Sequence, residues 1–179
     1  DVAGHADEAG RWDDFCGAAY VATFLHTRRY LSYHGNRFVD RSLVIEDGAR
    51  WLGVLPAAQE PADAATVVSH PGITYGGLLH GGALRGEAMV QALQLACGVL
   101  REQGHARLRY KPVPHIYAQA PAQDDLYALH RLQARRVRCD LSNCIDLAHR
   151  LPMSERRRRA LKKAGEAGLA IEQGSGQLE

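Results

Sequence analysis

His70 and His80 flank a run dense in glycine, Ser69-His70-Pro71-Gly72-Ile73-Thr74-Tyr75-Gly76-Gly77-Leu78-Leu79-His80-Gly81-Gly82. Imidazole titrates near neutrality, so either histidine is suited to moving a proton for a bound substrate. The phenol of Tyr75 can do the same. His70, Tyr75 and His80 are therefore the expected catalytic side chains. Glycine has no Cβ, so backbone at Gly76, Gly77, Gly81 and Gly82 can come close to a ligand, and its N–H groups can face an anion such as a diphosphate. A wide turn between a strand and a helix would use the same residue types. If the glycines serve a ligand, Gly77→Val should leave the fold intact and remove binding.

The run matches neither the GxxxxGK[ST] nor the GxGxxG phosphate loop. His80-Gly81-Gly82 has the composition of an esterase oxyanion loop, but the chain carries no GxSxG nucleophile turn. Nine histidines raise the question of a metal, yet they are scattered, with no HExxH or comparable spacing, and no metal site is expected. A second cationic feature comes late: six of the eight residues from Arg156 to Lys163 are Arg or Lys. Such a helix is either a solvated surface or a clamp for the phosphates of a nucleotide-linked sugar or an RNA backbone. Arg156, Arg157 and Lys163 are the expected phosphate contacts. The helix has no aromatic residue on which a single-stranded base could stack.

These groups need elements to hold them. The chain has 179 residues, 46% of them hydrophobic, enough for one core-bearing domain with a short extension. Net charge is only +2, so the basic helix is local and whole-chain attraction to nucleic acid is not implied. No apolar run approaches twenty residues, so no membrane span is expected. The first residue is Asp1, no signal peptide is apparent, and Cys16, Cys97, Cys139 and Cys144 lack C-x-x-C spacing. Buried free thiols in a reducing cytoplasm are the reading that follows.

Helices are expected over Asp7–Ala19, Phe24–His34, Arg85–Gln103 and Asp124–Ala134, and over the basic segment behind Ser154 as N-cap. The Arg85–Gln103 stripe is Met89, Leu93, Ala96 and Leu100, widened by Val90 and Cys97. Arg41–Glu46 and Ala49–Leu55 form a hairpin about Asp47-Gly48. Gln59–Ala65 reads as a polar loop, Val67-Val68-Ser69 as the start of a strand, and Arg107–Tyr110, Arg136–Leu147 and Leu169–Glu172 as further strands. The sum is an α/β (α+β) fold, helices packed on a mixed, largely antiparallel sheet. The expected division is a domain over 1–150 and, over 151–179, the basic helix and a strand.

Several blocks together resemble the N-terminal half of a FemAB-type transferase, related to the GNAT acyltransferases. Thr23-Phe24-Leu25-His26-Thr27-Arg28-Arg29-Tyr30-Leu31-Ser32-Tyr33-His34 resembles the family's early helix. Leu43–Gly48 with Trp51–Pro56 resembles its first hairpin. Ser69–Leu78 resembles the SHPG-TYGGL segment of GNAT-like proteins found with surface-polysaccharide genes. Arg156–Gly168 with Leu169–Gly174 resembles the basic link to a second half. The resemblance implies a GNAT-like fold and transfer of an acyl or aminoacyl group to an amine of a cell-envelope or surface-polysaccharide precursor. It implies acetyl-CoA or another acyl or aminoacyl donor, a small-molecule or nucleotide-linked acceptor, a second GNAT-like half beyond Glu179, and a cytoplasmic enzyme. Nucleic acid enters there only as an aminoacyl-tRNA donor. The chain departs from the pattern at the region from His80 to Ala88, which fits the R/Q-x-x-G-x-G/A acyl-CoA motif poorly. Two other readings stand beside this one: a non-catalytic half-domain that binds or scaffolds an acceptor, and a nucleic-acid-binding protein using the basic helix.

Overall fold

In the computed structural model, which describes residues 2–171, the chain is mixed α/β and divides into two compact units, Asp1–Arg135 and Arg136–Glu179. The first unit opens with α1 (Val2–Ala18). Trp12 and Cys16, one turn apart, are buried on one side of it. The expected second helix is broken into a short 3-10 turn at Phe24–His26, α2 (Arg28–Leu31) and another 3-10 turn at Ser32–His34. Thr27 ends the first piece in extended backbone and caps the next through its hydroxyl, which accepts from Tyr30 N–H. Trp12 Nε1 donates to His26 O at 2.9 Å, tying these turns to α1.

Strands β1 (Leu43–Asp47) and β2 (Arg50–Leu55) form the expected antiparallel hairpin, with Gly48 at φ +59° in the turn. The polar loop expected over Gln59–Ala65 is instead a second hairpin, β3 (Ala58–Glu60) and β4 (Asp63–Val68). Pro61 and Ala62 make its turn. Its charged residues belong to strands because β5 (Arg107–Arg109) supplies their partners: Arg107 pairs with Asp63 at 2.7 Å and Arg109 with Glu60 at 2.8 Å. Val67 and Val68 thus end a strand rather than begin one.

Strand β5 runs parallel to β4, and the connection between them carries α3 (Glu87–Glu102). Met89, Val90, Leu93, Ala96 and Leu100 are buried, as their helical spacing predicts, against Leu55, Val67 and Leu78. A second cluster joins Trp12 and Cys16 to Val54 and Leu79. Adjacent residues therefore alternate between two cores, Val54 and Leu79 into one, Leu55 and Leu78 into the other. Full burial of one such leucine contributes roughly 1.5–3 kcal/mol. Helix α4 (Asp124–Arg131) places Ala128 in the first cluster.

The second unit holds α5 (Glu155–Glu166). Ser154 occupies its N-cap position, but its side chain makes no capping hydrogen bond. The strand expected over Arg136–Leu147 is not formed, and Val137, Leu141, Ile145 and Leu147 are exposed. Alternation names the face a strand would bury, but a strand also needs a neighbouring ladder, and none pairs with this segment among the described residues. Leu169, Ala170 and Ile171 likewise form no strand, and Glu172 lies outside the described residues. The thiols also depart from expectation: Cys16 is buried and Cys97 half-buried, while Cys139 and Cys144 are exposed. Among the described residues no helix is long and apolar enough to cross a membrane.

Candidate functional site

The glycine run leaves the carboxyl end of β4 and is stitched to the carboxyl end of the parallel neighbour β5. Ser69 N–H donates to Arg109 O, and Lys111 N–H donates to Ser69 Oγ at 2.7 Å. Gly76 N–H donates to Lys111 O at 3.0 Å, and Leu78 N–H to the Tyr110 hydroxyl at 2.7 Å. Leu79 then exchanges both backbone hydrogen bonds with Val54 of β2. In open α/β sheets the crevice beyond the carboxyl ends of parallel strands is where ligands gather, and His70 and Tyr75 lie in this run.

Close approach at these glycines is made by the protein itself. A Cβ at Gly76 would stand 1.9 Å from Ser69 O. Gly77, at φ +89°, packs against the Tyr110 hydroxyl, and Gly82, at φ +98°, against the Tyr20 ring. Gly81 is exposed, with only Ala18 O near, at 3.5 Å. The expectation that Gly77→Val would spare the fold is therefore replaced: a β-branched residue at that φ and contact is strained.

The two histidines share one local device. Gly72 N–H donates to His70 Nδ1 at 3.2 Å, and Gly82 N–H donates to His80 Nδ1 at 3.0 Å. A ring nitrogen that accepts carries no proton, so each neutral imidazole holds its proton on Nε2. Burial pulls the His70 pKa down to about 4, aided by the neighbouring His34, and burial also lowers that of His80. Both rings are thus neutral at physiological pH. As placed, His70 and His80 are hydrogen-bond donors through Nε2; neither offers its Nδ1 lone pair as a base. His70 also sits at φ +59°, rare for a side chain of its size, a strain that surrounding structure must hold.

Tyr75 is buried, stacked on Tyr117 at 4.9 Å between ring centroids, with its hydroxyl 3.4 Å from Thr23 Oγ1. His26, fully buried beside it, accepts from Thr23 N–H through Nδ1, while its Nε2 meets no partner. The ring lies against the backbone of Tyr75 and Gly76 without forming a proper hydrogen bond, and burial lowers its pKa to about 4. Beneath the run, the Tyr110 hydroxyl is enclosed and donates to Asp125 at 3.0 Å. Burial raises the pKa of both groups. The Lys111 ammonium donates to Ile73 O, and burial lowers its pKa.

An anion does sit at the start of α3, and it is the protein's own. Asp124 accepts from Gly86 N–H at 2.8 Å and pairs with Arg85 at 3.0 Å. Burial opposes its ionisation, but these partners hold its pKa below the usual range. Asp124 and Asp125, in the first turn of α4, thus also brace α3 and Tyr110.

His70 opens on a cavity of about 530 Å³ whose walls include Asp13, Arg28, Arg29, His34 and Phe38. Its rings pack on one another: His70 stacks on His34 at 5.5 Å and meets Phe38 edge to face at 5.4 Å. Sequence reasoning identified His70 but missed His34, Phe38, Tyr110, Lys111 and Asp125. The signal for Tyr110 and Lys111 was their place at a strand exit, ahead of Pro112. Arg156, Arg157 and Lys163 belong to the second unit, exposed on α5. Among the described residues no three His, Cys, Asp or Glu side chains come together as a metal would require.

No family model, no curated protein and no solved structure matches this chain.

Proposed function

We propose that the chain is a GNAT/FemAB-like N-acyltransferase unit that transfers an acyl or aminoacyl group to an amine of a cell-envelope or surface-polysaccharide precursor. The observation that carries this reading is the position of His70, neutral and strained, on a cavity wall beyond the carboxyl ends of β4 and β5. The blocks resembling FemAB-type proteins support it from the sequence. In the reaction, the acceptor nitrogen forms an amide with the acyl carbon. The bond from that carbon to the donor's sulfur or oxygen breaks, and the nitrogen's proton leaves with the donor fragment. His70 Nε2–H is suited to hydrogen-bond the acyl oxygen as negative charge develops there. Tyr75 remains a candidate for the proton, whereas His80, its Nδ1 taken by Gly82 N–H, can serve only as a donor through Nε2.

The donor's fit is uneven. The N–H groups of Gly72, Gly76, Leu78, Leu79 and Gly82 are already bonded within the protein, and Asp124 occupies the start of α3. Phosphates of acetyl-CoA or a nucleotide-linked acceptor are better matched by Arg156, Arg157 and Lys163 of α5. The same internal bonding favours the second reading, an acceptor-binding half-domain that leaves chemistry to another half.

Calorimetric titration with acetyl-CoA, alone and with a nucleotide-linked amino sugar, separates the two, with released thiol measured in parallel. Donor binding with thiol release dependent on the acceptor supports the enzyme. Acceptor binding without either supports the half-domain.

A further inference from the structure

The cavity beside His70 has a chemistry of its own. Its ionised groups cancel: Asp13 and Asp40 against Arg28 and Arg29. Both carboxylates are engaged. Asp13 accepts from Arg28 and Arg29 N–H at the start of α2, and Asp40 accepts from Ser42 and pairs with Arg28 at 2.9 Å. Arg28 is further fixed over the Trp12 ring at 4.1 Å. A diphosphate would need excess positive charge, which these walls lack.

What the walls offer instead is ring surface and a few polar atoms. His34, Phe38 and His70 form a continuous aromatic wall, and Tyr33, 83% exposed, extends it edge to face on His34 at 5.7 Å. His34 Nε2 is buried against Gly72 and takes no part in the polar set, so His34 contributes ring surface alone. The remaining polar residues of the lining are His70, Arg29 and Ser32, the Ser32 hydroxyl already donating to Arg29 O at 2.8 Å and so left as an acceptor. The volume lies within the range of small-molecule sites.

Aromatic faces beside scattered donors and acceptors, with no net charge, match a ring that is apolar on its C–H faces and polyhydroxylated at its edge. We infer that this cavity binds a pyranose, the sugar of the acceptor, against His34, Phe38 and His70. The inference rests on the acyltransferase reading for the word acceptor, but the sugar site stands on the cavity alone.

The test is chemical-shift mapping on the isotope-labelled chain with methyl glycosides of glucose, galactose and their 2-amino forms as probes, beside inorganic pyrophosphate. Saturable shifts at the amides of Ser32 to Phe38 and His70 to Gly72 are expected with glycosides. Binding should weaken by about tenfold in Phe38→Ala. Arg29→Ala, an exposed change that should not disturb folding, should weaken it as well. Absence of shifts at these amides with every glycoside overturns the proposal, as do shifts produced by pyrophosphate alone. Acetyl-CoA binding and acyl transfer are measured separately. Transfer without glycoside shifts here refutes the sugar site and spares the enzyme; glycoside shifts here without any transfer do the reverse.

Discussion

Adding a single methyl group at Gly76 tests whether the glycine run serves the fold. Its Cβ would lie 1.9 Å from Ser69 O and 2.8 Å from Ser69 C. Neither side can retreat cheaply. Ser69 is fully buried, bonded to Arg109 O through N–H and to Lys111 N–H through Oγ, while Gly76 N–H is bonded to Lys111 O. Overpacking costs about 1–3 kcal/mol, and two disturbed hydrogen bonds add about 1 kcal/mol each. Gly76→Ala should therefore lose about 3–5 kcal/mol, lowering Tm by at least about 6 °C at roughly 2 °C per kcal/mol. Trp12 and Trp51 are the chain's two tryptophans and both lie in the first unit, so a tryptophan-fluorescence melt reports on that unit. The control is Gly81→Ala, whose Cβ would make ordinary contact at 3.5 Å and which should stay within about 0.5 kcal/mol of wild type. A Gly76→Ala melt that coincides with the control would refute the packing role.

Other outcomes follow from the same geometry. Tyr110→Phe removes the hydroxyl that accepts from Leu78 N–H and donates to Asp125, and should cost about 1–3 kcal/mol in urea unfolding; an unchanged midpoint would contradict the network. His26 and His70 have folded pKa values of about 4 against an ordinary 6.5. The unfolded chain binds more protons between those values, so stability is full above pH 6.5 and falls as pH drops towards 4, by up to ~3 kcal/mol per histidine. Asp125, with a raised pKa, acts in the opposite sense; a Tm flat from pH 7 to pH 5 would count against the two buried neutral rings. A thiol reagent should modify Cys139 and Cys144 in the native chain, whereas Cys16, buried and pushed up to about 12, should react only after unfolding; rapid native labelling of Cys16 would contradict its placement.

Much of the scaffold was legible because its signals are local. The stripe on α3 and the Asp47-Gly48 turn each depend on residues close in sequence. Failures came where a distant partner decides. Gln59 and Glu60 look like loop until Arg109 of β5 is seen to pair with Glu60, and Asp63 until Arg107 is seen beside it. Arg136–Leu147 alternates like a strand but finds no ladder among the described residues. Phe24–His34 has helical spacing, yet Thr27 restarts it as a new cap. At the candidate site, glycine density located the run, but not that its closest neighbours are Ser69, Tyr110 and Tyr20. Nor can histidine count reveal a tautomer, which here depends on the N–H two residues further on.

The most direct test of the proposed chemistry is acyl transfer by His70→Asn. Asparagine tolerates positive φ and can accept Gly72 N–H as His70 does, so the turn should survive while Nε2–H is lost. Wild type and variant are incubated with acetyl-CoA and a nucleotide-linked amino sugar, and acceptor mass is followed by mass spectrometry. Transfer by wild type, reduced by about a hundredfold or more in a variant that melts normally, is the expected result. Equal transfer by both proteins, or no gain of acyl mass by any amine acceptor with wild type, would contradict it.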